Sequence, residues 1–308
     1  MERLKHEIYE LLKEAIGWWG RQEICNEMEG VEVVKKYRSL EERLRLYEEV
    51  IKLRKQGLGY ARIAKSIEEK YGFPLNPSTI RYWVKGKRTP LGRCNRIVEG
   101  PELAYVVSAW LGDGELALDR RNYKHHVKLA VKDYDFAEEW GRRLAEALGR
   151  SKPYTPRWDN DLQRWVVKGS SALLYDLLKR AREGDPWILM PYLEKYPAEA
   201  CRGSFDAEGS VNINRYQIEA CNTNSRTIGL FEGLLGKLGI DCRMHKFRWD
   251  EFMKCPKTGK LYRRNSGSIM CLAIYGEDNI MRFAEKIGFT IARKRAALME
   301  LVRSYRRC

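Results

Sequence analysis

Apolar residues recur along this chain with two different periods, and the switches between them mark its elements. Residues 2–16 put Leu4, Ile8, Leu11, Leu12 and Ala15 on one helical face. Residues 40–56 repeat the pattern with Leu40, Leu44, Tyr47 and Ile51 inward, and Gly57 ends that helix. Ile63, Ala64 and Ile67 make a short apolar face, and Gly72, Phe73 and Pro74 turn the chain. Asn76 can cap the next helix, with Pro77 at its first position; Ile80, Trp83 and Val84 point inward before Gly86 and Pro90 stop it. From Pro101 onward a period of two enters. "HHVKLAVK" sets Val127, Leu129 and Val131 on one face and His126, Lys128, Ala130 and Lys132 on the other. Around that strand the pattern predicts helices over about 101–113, 134–148 and 171–182, and strands near 154–158 and 162–168. The order then restarts: helix 197–208, strands near 210–213 and 216–222, helix 226–238, strands near 242–249 and 268–275, helix 277–287 and a last helix over 293–305.

The order α-β-β-α-β-β-α therefore occurs twice, at a spacing of about 95 residues. The expected fold class is α+β: two pseudo-symmetric αββαββα repeats forming a saddle of antiparallel sheets, preceded by a small all-α helix-turn-helix domain. The expected boundaries are 1–97 for the helical domain and its basic linker, 98–189 for the first repeat and 190–308 for the second. Helices cover one face of each sheet, which leaves the charged half of the alternation on the other.

Charge sharpens this picture. The chain of 308 residues has 57 Lys and Arg against 42 Asp and Glu, a net charge of +15. The excess is local: residues 50–98 hold twelve basic and two acidic residues, whereas residues 1–49 hold nine and twelve. A basic segment on a helix-turn-helix pattern points to nucleic acid. Ser78, Thr79, Arg81, Tyr82 and Lys85 would face the major groove, and the linker after them, with Lys87 and Arg88, would track phosphates. The same periodicity also fits an ordinary helical hairpin in a bundle. No apolar run reaches the ~18 residues of a membrane span, and the charged N-terminus is not that of a signal peptide, so the expected location is the cytoplasm. Eight cysteines without a C-x-x-C pair predict reduced thiols, and Cys242, His245, Cys255 and Cys271 fit no common zinc spacing. High charge and few Gln point to a thermophilic source.

Two acids break the rules of their helices. Asp113 in "VSAWLGDGELA" and Glu208 in "CRGSFDAEGSV" sit at predicted helix C-termini, where the helix dipole disfavours negative charge. Each follows a pair of small residues four apart: Ser108 and Gly112 in the first, Gly203 and Ala207 in the second. Small residues four apart let two helix backbones approach closely. If these helices pack about a pseudo-two-fold axis, Asp113 and Glu208 converge, and a hard divalent cation relieves their repulsion. The carbonyls of Gly112 and Ala207 would add oxygen ligands, which is the donor set of a phosphodiester-cleaving site. Either D-G or E-G alone reads as a turn; the matched pair argues for the site.

On these residues the chain resembles a known family. "VVSAWLGDG" at 106–114 and "CRGSFDAEG" at 201–209 are similar to the two LAGLIDADG motifs of a single-chain homing endonuclease. The first departs at Leu111, where the name-giving sequence has Asp. The resemblance covers about residues 98–308, and a helix-turn-helix ahead of it is similar to some archaeal intron-encoded members. It implies a monomer that cuts both strands of a long DNA site and leaves short 3′ overhangs. Asp113 and Glu208 would hold Mg²⁺, with Mn²⁺ able to substitute and Ca²⁺ able to bind without supporting cleavage. Lys132 and Asn222 would occupy the positions of the family's Lys or Gln beside the centre, Asn222 needing a bulge or another register. Lys294 is a further basic candidate. The saddle would contact DNA through Arg120, Arg121, His126 and Lys128 in the first repeat. Lys246, Arg248, Arg263 and Arg264, on a long basic hairpin, would do so in the second. Most of the tryptophans, among them 18, 19, 110, 140, 158, 165, 187 and 249, are expected in packing rather than on bases. Two other readings stay open: an intron RNA maturase, which binds intron RNA, and a DNA-binding regulator of this fold without activity. An intein is not expected.

Overall fold

The computed structural model describes residues 38–92, 96–248, 250, 252–254, 259–263 and 267–305. The expected helix over 2–16 lies outside them, as do Arg264, Cys255, Trp18, Trp19 and Trp249. The chain divides into two compact units, Met1–Pro90 and Leu91–Cys308. Residues just after the division belong with the second unit: Arg96 donates to the Gly149 carbonyl at 3.1 Å and Val98 N–H to that of Ala147 at 2.8 Å.

The first unit contains three described helices, α1 (Leu40–Lys55), α2 (Tyr60–Tyr71) and α3 (Pro77–Val84). Ser39 and Glu42 form a reciprocal capping box at the start of α1, and the Asn76 side chain accepts from Ser78 N–H at the start of α3. Leu46 and Val50 of α1, Ile63 and Ile67 of α2, and Ile80 and Trp83 of α3 form its core. The face of α1 is therefore turned from the expected one. Leu46 and Val50 are buried, whereas Leu40, Leu44 and Ile51 are only partly covered. Both stripes have helical spacing, and the partner helices choose between them.

The second unit is α+β and contains the doubled αββαββα order. Its first half runs α4 (Pro101–Asp113), β1 (Gly114–Asp119), β2 (Lys124–Val131), α5 (Tyr134–Ala147), β3 (Arg157–Asp159), β4 (Arg164–Ser170) and α6 (Ala172–Glu183). A 3-10 turn (Pro186–Leu189) and the short α7 (Met190–Leu193) lead into the second half. That half runs α8 (Pro197–Glu208), β5 (Gly209–Asn212), β6 (Gln217–Asn222), α9 (Ser225–Lys237), β7 (Arg243–Arg248), β8 (Phe252–Lys254), β9 (Leu261–Arg263), β10 (Ser268–Tyr275) and α10 (Glu277–Lys286), with α11 (Ala292–Tyr305) at its end. The antiparallel sheets have the orders β1-β2-β4-β3 and β5-β6-β10-β7, so each strand has a counterpart at the same place in the other half. Among the described residues β8 and β9 pair only with each other, as an extra hairpin between β7 and β10.

One core joins the two halves. In α4 every residue from Leu103 to Trp110 is buried, as a helix without a polar face requires. Both α4 and α8 start on proline at the first turn, where the missing N–H costs nothing. The Trp140 indole donates to the Val106 carbonyl at 3.1 Å and fixes α5 on α4. Each fully buried Leu, Ile or Phe in this core contributes about 2 kcal/mol. Trp110 and Trp140 are wholly buried; Trp158 is part-exposed but packs edge-on against Trp165, and Trp187 is 42% exposed. In β6 and β10, Cys221 and Cys271 stand directly opposite and form a disulfide, which corrects the expectation of reduced thiols for this pair.

Candidate active site

The helices α4 and α8 touch where side chains are smallest. A Cβ added to Gly203 would lie 2.4 Å from the Tyr105 carbonyl oxygen and 3.1 Å from Ala109 N. One added to Gly112 would lie 2.8 Å from the Ala207 Cβ. The backbones thus meet at Gly203 and at Gly112–Ala207. Ser108, the fourth small residue, is buried with them.

Both helices end where the acids stand. The last helical hydrogen bonds run from Gly114 N–H to Trp110 O and from Gly209 N–H to Phe205 O. The carbonyls of Gly112 and Ala207 come after these and have no helical donor. Asp113 and Glu208 are partly buried and close enough to interact through their charges. Burial first, and then the charge of Asp113, push the Glu208 carboxyl up to about 7; the Asn222 hydrogen bond and Lys294 act against them. Burial also raises Asp113, against the pull of Lys294 and Arg164.

Asn222 donates from Nδ2 to Glu208 Oε1 at 2.9 Å, while its own Oδ1 accepts from Asn224 N–H. It needs no bulge. The ladder runs unbroken from Gln217↔Tyr275 to Asn222↔Met270, so Asn222 shares the helix-facing side with Ile218 and Ala220. That side is where the helix ends are. Gly114 pairs with Leu129 and Gly209 with Ala220, so the counterpart of Asn222 in the first half is Val131, not Lys132. Lys132 is exposed, one residue past β2, and among the described residues it makes no hydrogen bond to either acid.

Lys294 is only 7% exposed. It donates to the carbonyls of Phe205 and Asp206 at 3.0 and 2.6 Å, which places a cation at the negative end of α8. Burial lowers its pKa to about 8. Its neighbour Arg293 forms a two-pronged ion pair with Asp133, and the Asp135 carboxylate accepts from Ala292 N–H. The start of α11 is thereby tied to that of α5. Asp206 is buried, accepting from Tyr105 O–H at 2.8 Å and from Thr290 N–H at 2.9 Å.

A cleft of about 450 Å³ opens beside Glu208, lined by Leu111, Gly112, Ala181, Arg182, Cys221, Asn222, Thr223, Asn224, Thr227 and Ile269. Arg182 is a site residue that the sequence does not reveal. It donates to the Gly114 carbonyl at 2.6 Å, with its guanidinium 4.0 Å from the Trp110 ring centre. A basic last turn in α6 is its only sequence signal.

The other expected residues are spread over surfaces. Ser78, Arg81, Tyr82, Lys85, Lys87 and Arg88 are exposed in the first unit and Thr79 is half-buried; Arg88 lies over the Tyr82 ring. Arg120 and Arg121 are exposed in the β1–β2 turn. His126 and Lys128 stand on the outer face of β2, His126 bonded to Ser170 Oγ and Lys128 to Glu115, both half-buried. Lys168, directly opposite Lys128, extends that basic face. Lys246, Arg248 and Arg263 are exposed on β7 and β9. Of Cys242, His245, Cys255 and Cys271, Cys255 lies outside the described residues, and His245 and Cys271 group with Glu219 rather than with Cys242.

Residues 195–288 match the family model of a LAGLIDADG-like domain. This segment holds Glu208, Asn222 and the whole second sheet. Two relatives come from Methanocaldococcus jannaschii. The uncharacterized protein MJ0398 is 29% identical over 269 residues, which are 86% of this chain and 96% of that protein. The uncharacterized protein MJ0314 is 31% identical over 147 residues, 45% of this chain and 55% of that protein. Among solved structures, I-DmoI in complex with DNA and Ca is 18% identical, with a TM-score of 0.45, over 65% of this chain and 97% of the other. Full-length DUF199/WhiA from Thermatoga maritima is 17% identical, with a TM-score of 0.39, over 69% of this chain and 63% of the other. No described helix is long and apolar enough to cross a membrane.

Proposed function

We infer that this chain is a monomeric, site-specific DNA endonuclease of the LAGLIDADG homing type. It makes metal-dependent double-strand cuts with short 3′ overhangs. In this reading residues 98–189 and 190–308 are its two repeats, and residues 1–97 add a second DNA-binding domain. One observation carries the reading: two carboxylates from matched helix ends sit close together, half-buried, with Glu208 pushed up to about 7 partly by its partner. A fold does not keep a buried like-charge pair at two helix C-termini for stability alone. The match of residues 195–288 to a LAGLIDADG-like domain supports it from another direction.

The donors suit a hard dication. Asp113 and Glu208 are oxygen ligands, and the Gly112 and Ala207 carbonyls are at the same helix ends. Among the described residues neither carboxylate is tied up in an ion pair. Held by these residues, such an ion, Mg²⁺ in this reading, would supply charge against the phosphate and lower the pKa of an attacking water. Asn222 holds one Glu208 oxygen and so orients the other. Lys294 places positive charge behind both acids, and Arg182 lines the cleft where a phosphate oxygen would need neutralising. The basic outer face of the first sheet would hold the backbone of a duplex.

The test is cleavage of a randomised-site plasmid library by the full chain with Mg²⁺, followed by sequencing of the ends. Asp113→Asn and Glu208→Gln should bind the selected site and leave it uncut. Wild-type cutting of both strands by both variants would overturn the assignment. Intron RNA binding without cleavage of any DNA would favour the maturase reading instead.

A further inference from the structure

We propose that the outer face of the second sheet holds a zinc site that the Cys221–Cys271 disulfide keeps closed. Its ligands are Cys271, His245 and Glu219, whose ligand atoms already cluster, and Cys221, which joins them once the disulfide opens. It is separate from the oxygen-lined centre at Asp113 and Glu208, and it does not depend on the nuclease reading.

The sheet register builds this site. Cys271 on β10 has Cys221 directly opposite on β6 and His245 directly opposite on β7. Glu219 is two residues before Cys221 and so projects from the same face. The ligand atoms of Glu219, His245 and Cys271 all lie within 4.8 Å of one another. His245 Nε2 and Glu219 Oε1 are 3.0 Å apart. Two ligands about 2.1 Å from one tetrahedral zinc stand roughly 3.4 Å apart, so a small outward shift brings this pair to that spacing. Cys271 is buried beneath the site, while His245, with Phe247 edge-on to its ring, and Glu219 stand part-exposed at its mouth. Two thiolates, an imidazole and a carboxylate are borderline-soft donors suited to Zn²⁺, and four protein ligands make a closed, structural site.

Opening requires a dithiol reductant. Its thiolate attacks one sulfur and breaks the Cys221–Cys271 bond; its second thiol then resolves the mixed disulfide. The reductant leaves as its own disulfide, and two electrons and two protons now reside on the cysteines. Zn²⁺ displaces the two protons to solvent as two Zn–S bonds form. The strands remain paired by their backbone ladder, so both sulfurs stay on the same face.

The test uses the full chain, reduced with a dithiol and desalted without oxygen, against the oxidised chain, with Co²⁺ as probe. Cobalt at an all-oxygen site gives no sulfur charge-transfer band, so the two centres are distinguished. The reduced chain should take one Co²⁺ with that band and with tetrahedral visible absorption, and equimolar Zn²⁺ should bleach both. The oxidised chain should give neither. Since even outer-sphere partners of a metal change its affinity 10–100-fold, His245→Ala and Glu219→Ala should each weaken Co²⁺ binding at least about tenfold. Cys221→Ser with Cys271→Ser should abolish the band. His245→Ala and Glu219→Ala lie on the sheet surface and decide the question if the serine variant does not fold. Absence of the band in the reduced chain, its survival in a folded double-serine variant, or unchanged affinity in both surface variants overturns the proposal.

Discussion

Gly112 and Glu208 share a space that only a hydrogen leaves open: a Cβ at 112 would lie 2.9 Å from Glu208 Cγ and 3.1 Å from its Oε1. The extra methyl of Gly112→Ala must push the carboxylate aside. The expected result is a loss of about tenfold in Mn²⁺ affinity, equivalent to ~1.4 kcal/mol, read by paramagnetic resonance titration. Wild-type affinity would mean that Glu208 does not hold the ion from this position.

Gly203→Ala acts on stability instead. Its Cβ would meet the Tyr105 carbonyl oxygen at 2.4 Å, a backbone atom that cannot swing away. The two central helices must separate, and overpacking of this kind costs about 1–3 kcal/mol or more. Urea unfolding should show an earlier midpoint with an unchanged slope. A midpoint equal to that of the parent would contradict the close approach of the helices.

The Glu208 carboxyl makes stability depend on pH in an unusual direction. Its pKa in the fold is about 7, above the ordinary 4.5, so the folded chain holds this proton more tightly than the unfolded one. This contribution is fully present below about pH 4.5 and fades as pH rises through 7. Glu208→Gln can still accept the Asn222 hydrogen bond and carries no charge. Without metal it should therefore be more stable than the parent by on the order of 1–3 kcal/mol at pH 8, and little different at pH 4. Denaturant melts in a chelator at both pH values measure this, and a pH-independent difference would count against the coupled pair.

Lys294 lowers the pKa of both acids through its charge. Lys294→Met keeps most of the stem and removes the ammonium. The pH at which Mn²⁺ binding reaches half its maximum should move up, because the ligands must lose protons to bind. A variant that binds more weakly at every pH with an unmoved midpoint would make Lys294 structural only.

Arg120 and Arg121 stand exposed in the β1–β2 turn. If they meet DNA phosphates, replacing both with Ala should weaken duplex binding across all sequences. It should also flatten the plot of log affinity against log salt by about 0.9 for each phosphate no longer neutralised. An unchanged slope removes this turn from the interface.

Most elements are legible in the sequence because their ends carry strong local signals. Pro197 and Gly209 bracket α8, and its predicted span, 197–208, is the observed one. The convergence of the two acids follows from small residues at matched places, since only these allow such close helices. What the sequence hides depends on partners. The α1 stripe is ambiguous until α2 and α3 choose Leu46 and Val50. The disulfide joins residues 50 apart, and only the β6–β10 register makes them neighbours. Asn222 needs a bulge only if the helix ends lie beneath the outer face of the sheet. They lie on the inner one, where its parity already points. Arg182 reaches the cleft by folding over Trp110, which no periodicity reveals.

The internal duplication frees each half from copying the other. Leu111 stands where the second half has buried Asp206. His126, Lys128 and Lys168 cover one outer face, whereas the other carries Glu219, His245 and a cystine. Two identical subunits about a true axis would have to display every such change twice. A single polypeptide displays it once, so a long ligand laid across both sheets would meet two different surfaces, and its two directions would not be equivalent.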